Sequence, residues 1–91
     1  MKTTVPPRRR RTIDTSAYLQ MVARVIANGG HRVADEDPEQ LHQLLELRDV
    51  LDEAILDAVR GMRDAGITWQ DIGQAAGTTR QAAIMRWGPR L

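Results

Sequence analysis

The sequence predicts an all-α fold: a small four-helix domain with a long central helix, two short C-terminal helices about a glycine, and a basic N-terminal arm. Three observations predict it. Residues 38–65 carry apolar side chains at alternating steps of three and four, the spacing of one helix face. Capping residues and glycines mark the other helix ends, at Asp14–Ser16, Asn28-Gly29-Gly30 and Gly66. Two runs of eight or nine residues flank Gly77 and stop before Gly88-Pro89.

With 91 residues the chain is long enough for one domain. Burial is modest at this size, so self-association is an expected supplement to the core. The absence of Cys rules out a disulfide framework, a thiolate zinc site and a thiol nucleophile, and it fits a reducing compartment. No run approaches the roughly 18 apolar residues of a membrane span. The N-terminus, MKTTVPPRRRR, has no apolar segment of the secretory type, so a cytoplasmic protein is expected.

The formal net charge of +1 conceals a partition. Residues 1–34 carry seven Lys and Arg against Asp14 alone, whereas residues 35–65 carry ten acids against three Arg. Residues 66–91 return to Arg80, Arg86 and Arg90 against Asp71. Basic ends around an acidic middle suggest a polyanionic partner for the ends and a solvated or self-associating middle.

Residues 1–13 contain two prolines and the four consecutive arginines Arg8, Arg9, Arg10 and Arg11, with no amphipathic period. They read as a flexible arm. Two roles fit: a solubilising tail, or a basic arm that tracks phosphates or enters a minor groove. A single helical domain is expected over 14–91, with scaffold and dimerisation helices in 14–66 and a helix-turn-helix in 67–88.

The first helix is expected from Asp14–Ser16 to about Ala27. Tyr18, Leu19, Met21, Val22, Val25 and Ile26 form a broad apolar face, and Asn28-Gly29-Gly30 ends it in the left-handed conformation. In DEDPEQ, Asp37 is the expected N-cap of the long helix, Pro38 its first residue and Gln40 the partner in a capping box. The acids at 35, 36, 37 and 39 suit the positive end of its dipole. Gly61 costs about 1 kcal/mol there relative to Ala and permits a bend. The helix would be roughly 40 Å long.

Along this helix Leu41, Leu44, Arg48, Leu51, Ile55, Ala58 and Met62 form a stripe, widened by Leu45, Leu47, Ala54 and Val59 to about half the circumference. So wide a stripe predicts packing on two sides. A homodimer interface through Leu41, Leu44, Arg48, Leu51 and Ile55 is expected, the alternative being that the other helices fold back and cover everything. Arg48 and Asp52 stand at i, i+4, either as a register-fixing pair at a twofold interface or as an exposed ion pair.

Gly66 ends the long helix, and Thr68 caps a third helix from Trp69 to Ala76. Gly77 makes the turn, and a fourth helix starts at Thr78 or Thr79. Two helices of this length about a glycine match a helix-turn-helix. Ile72 and Ala76 are expected to face the core. Gly73 and Ala83 would let the helices cross closely, and Trp69 and Trp87 would fill the centre.

The stretch Trp69, Ile72-Gly73, Gly77-Thr78-Thr79-Arg80-Gln81-Ala82-Ala83 and Arg86-Trp87 resembles the helix-turn-helix of small DNA-binding regulators of actinobacteria and their phages. It is also similar to region 4 of sigma factors. The match covers about 25 residues and departs at Thr78, where that pattern has an aliphatic residue under the turn. The resemblance implies a transcriptional regulator that binds double-stranded DNA, with a recognition helix at about 79–87 in the major groove. Arg80 would then pair with guanine and Gln81 with adenine, while Ile84 meets a thymine methyl and Met85 faces the groove. Thr68, Gln70 and Thr79 suit phosphates, and Arg86 suits either a phosphate or an internal ion pair. A twofold dimer would present two such helices to half-sites about one helical turn apart.

An enzyme is not expected. The only Ser is Ser16, at a helix cap, and neither His31 nor His42 belongs to a recognisable constellation. His42 and Glu46 have the i, i+4 spacing that metal ligands use, without a third ligand. No cofactor, metal or small-molecule ligand is expected. The rival reading is a protein-interaction module, phage- or polymerase-associated, that docks through the acidic leucine-rich helix.

Overall fold

The computed structural model describes residues 14–91 and is all-α. The described residues contain α1 (Thr15–Asp35), a short 3-10 turn (Pro38–Gln40), α2 (Leu41–Asp64), α3 (Trp69–Ala75), α4 (Arg80–Trp87) and a final 3-10 turn (Gly88–Arg90). They belong to two compact units, one ending at Leu44 and one spanning Leu45–Leu91. The expected arm, with Arg8 to Arg11, lies outside the described residues.

In the first unit, Asp14 caps α1 as expected, its Oδ1 accepting the Ala17 N–H at 2.8 Å. The helix does not stop at Asn28-Gly29-Gly30; it continues to Asp35. Neither glycine adopts positive φ. Two glycines in a helix interior cost about 1 kcal/mol each. Gly29 stands beside the start of α2, where an added Cβ would lie 4.0 Å from Leu44 Cδ1. Val22, Gly29 and Val33, at i, i+7 and i+11, are half-buried along one line. The helix thus runs through a local stop signal.

The expected capping box also gives way. Asp37 makes no side-chain cap. Its backbone carbonyl instead accepts the Gln40 N–H at 2.9 Å, closing a 3-10 turn that begins at Pro38, and the α-helix starts only at Leu41. His42 engages this turn through a 3.1 Å contact between Nδ1 and the Glu39 carbonyl.

The second unit contains the core. Leu56 and Val59 of α2, Ile72 of α3 and Ala83 of α4 are buried. Met62, Ile67, Trp69 and Trp87 pack around Val59, Ile72 and Ala83, so both tryptophans stand where the sequence places them. Burying Ile72 alone is worth about 1.5–3 kcal/mol. Leu56 is a correction, since the predicted apolar stripe omits it: the inward line runs Leu56, Val59, Met62. Ala76, expected to face the core, is exposed at the end of α3.

Two like-built helix ends frame this core. Gly66 (φ +87°) and Gly77 (φ +73°) take the left-handed conformation that favours glycine. After α2, the Gly66 N–H donates to Arg63 O and the Ile67 N–H to Met62 O, both at 3.0 Å. After α3, the Gly77 N–H donates to Gln74 O at 3.1 Å and the Thr78 N–H to Gly73 O at 2.8 Å. These paired bonds satisfy carbonyls that a helix end otherwise leaves open. Ile67 then packs with Met62 against the core; Thr78, its counterpart, is exposed.

Candidate nucleic-acid interface

The geometry of α3 and α4 begins with their caps. Thr68 Oγ1 accepts the Asp71 N–H at 3.1 Å, and Thr79 Oγ1 accepts the Ala82 N–H at 3.0 Å. Each cap is worth about 1 kcal/mol. A hydroxyl that accepts in this way keeps its own proton to donate. Thr68 and Thr79 are both exposed, so both protons are accessible from outside.

The two helices then cross at one tight point. A Cβ on buried Gly73 would lie 2.8 Å from Thr79 O, 2.9 Å from Thr79 C and 3.1 Å from Arg80 N. The first turn of α4 rests directly on the backbone of α3. Ala83, at 0 % exposure, completes the seam from the other side.

Because successive helical residues advance about 100°, this seating fixes both faces of α4. Ala83, Ile84 and Trp87 lie on the inward side, buried or half-buried. Gln81, Ala82, Met85 and Arg86 lie on the outward side, all exposed. Arg80 opens the helix on the inward stripe, yet its place in the first turn leaves it exposed, and no partner within the described residues holds its guanidinium. Gln70, in the first turn of α3, is exposed as well.

One expectation changes here. Ile84, expected to meet a thymine methyl, is turned inward: it is half-buried, and its Cγ2 would lie 3.6 Å from a Cβ on Gly88. Of the two roles open to it, Arg86 does not form the internal ion pair among the described residues. Its guanidinium stands 5.5 Å over the Trp87 ring, and with Asp52, Ile55, Trp87 and Arg90 it lines a shallow groove of about 150 Å³. Arg90 is committed to Glu53 at 2.9 Å. Sequence reading missed Ala82 on the outward face. The signal was present, since Ala82 is one residue before inward Ala83 and three before Met85.

On α2 the expected interface residues divide. Leu41, Arg48 and Leu51 are exposed, whereas Leu44 and Ile55 are half-buried within their own units. Arg48 does not pair with Asp52; among the described residues, ion pairs join Arg60 to Asp57 at 2.8 Å and Arg90 to Glu53. On the other flank of the core, Arg63 stands 5.1 Å over the Trp69 ring and donates to Ile67 O at 2.9 Å. This couples the end of α2 to the start of α3.

Among the described residues, no helix is long and apolar enough to cross a membrane, and no group of three or more His, Cys, Asp or Glu is placed to hold a metal ion. Comparison with family models, curated proteins and solved structures finds no match to this chain.

Proposed function

We propose that this chain is a DNA-binding helix-turn-helix protein acting as a transcriptional regulator, with α4 as its recognition helix in the major groove. One observation carries the reading: α4 is seated on α3 through Gly73 and Ala83, and this leaves Gln81, Met85 and Arg86 outward, with Arg80 at its start unpaired among the described residues. The charge balance of the segment supports it, three Arg against Asp71 over residues 66–91. So does the resemblance of residues 69–87 to small actinobacterial and phage regulators.

In this reading Arg80 reads guanine and Gln81 reads adenine from the first turn of α4. Thr68, Gln70 and Thr79 donate to phosphates flanking the groove, and Arg86 adds a phosphate contact at the far end. Arg8 to Arg11 neutralise further phosphates or enter the minor groove. A homodimer through the exposed side of α2 doubles the contact and sets the half-site spacing.

A second reading has its own observation. Leu45, Leu47, Val50 and Leu51 are exposed on α2, beside its acids. That surface suits docking on a protein, as in a phage or polymerase adaptor. A mobility shift with mixed-sequence duplex separates the two. DNA binding gives a complex whose affinity falls steeply with salt, because each neutralised phosphate releases counterions. No complex at low salt favours the adaptor.

A further inference from the structure

We infer that Ala82 is a specificity-determining residue of α4, and that its Cβ, with Met85 one turn on, takes a thymine 5-methyl group in the major groove. This rests on the DNA reading above and assigns a role within it.

The inference starts from what the outward face offers. Its centre is the pair Ala82 and Met85, with Gln81 on one flank and Arg86 on the other. The Ala82 N–H is already given to Thr79 Oγ1 at 3.0 Å, so toward a partner the residue presents only a methyl group. Met85 is 69 % exposed although Ile72, Ala83 and the two tryptophans nearby are buried or packed. The face is thus an apolar pair bounded by an amide and by guanidinium groups.

The edges of base pairs offer few apolar features. In the major groove the thymine 5-methyl is the apolar group, set among hydrogen-bond donors and acceptors. An apolar pair at the centre of a recognition face therefore matches thymine. Arg80 and Arg86, uncommitted to any carboxylate among the described residues, match the phosphates on either side. The small Ala82 side chain also matters by itself, since a larger one would hold the helix backbone away from the bases. Ile84, with more apolar surface, is turned inward against Gly88 and is not placed for this contact.

The test uses the full-length chain. Duplexes bound from a random-sequence pool are selected, and each thymidine of the enriched site is replaced singly by deoxyuridine. That exchange removes only the 5-methyl group and keeps every hydrogen-bonding group. At one thymidine per half-site the wild-type protein should bind the deoxyuridine duplex about three- to fivefold more weakly, the worth of one buried methyl. In Ala82→Gly, where Met85 alone remains, the ratio between the two duplexes should fall toward one, and in Ile84→Val it should persist undiminished. A ratio taken within one variant cancels any loss of folded protein. Enrichment of a site at which wild type shows no methyl effect overturns the assignment alone, as does an effect that is undiminished in Ala82→Gly. Failure to enrich any duplex overturns the DNA reading, and the assignment falls with it.

Discussion

Gly73 and Thr79 touch backbone to backbone: a Cβ on the glycine would lie 2.8 Å from the threonine carbonyl oxygen. No flexible side-chain end stands there to yield. The whole disposition of α4, and hence which residues it turns outward, follows from this contact.

Glycine-to-alanine exchanges should therefore have opposite signs at two helical positions. Gly61 of α2 has nothing within 4 Å of an added Cβ, so Gly61→Ala should stabilise by about 0.5–1 kcal/mol through helix propensity. Gly73→Ala gains the same propensity but forces α3 and α4 apart. It should destabilise by about 1–3 kcal/mol. Urea unfolding of the two variants beside wild type checks both signs.

The turn and its caps give a second pair of expectations. Gly77→Ala places a Cβ in the left-handed region and should cost about 1–2 kcal/mol. Thr79→Ala leaves the Ala82 N–H without its acceptor and should cost about 1 kcal/mol. Thermal unfolding measures each. Thr79→Ser, which keeps the hydroxyl, should recover most of the loss.

Arg80 has no partner within the described residues, so Arg80→Ala should leave stability within about 0.5 kcal/mol. Affinity for the selected duplex should fall by about 1–3 kcal/mol, with relaxed preference at one base pair. Replacing Arg8 to Arg11 together should act differently. Binding should weaken across all sequences, and the slope of log affinity against log salt should shrink by about 0.9 for each phosphate no longer neutralised. Titrations at several salt concentrations distinguish the two patterns.

Leu51 is 55 % exposed on α2, and its replacement should not disturb the core. If the homodimer forms there, Leu51→Glu should halve the mass measured by sedimentation equilibrium while the helical circular dichroism signal persists. An unchanged mass would place self-association elsewhere or nowhere.

The local signals in the sequence determined a good part of this molecule. Asp14, Thr68 and Thr79 cap helices, and Gly66 and Gly77 end or turn them, because capping and left-handed backbone depend on a residue and its near neighbours. The small residues at 73 and 83 likewise announced a close crossing, and Arg80 and Gln81 were legible as exposed from their place in the first turn of α4. Other features needed partners distant in sequence. Asn28-Gly29-Gly30 stays helical, with Leu44 beside Gly29, and Leu56 is core because α2 turns that face toward α3 and α4. Ile84 faces inward, against expectation, because the Gly73 contact sets the rotation of α4. Propensity acts within a few residues, whereas the direction in which a helix faces is decided by what it packs against.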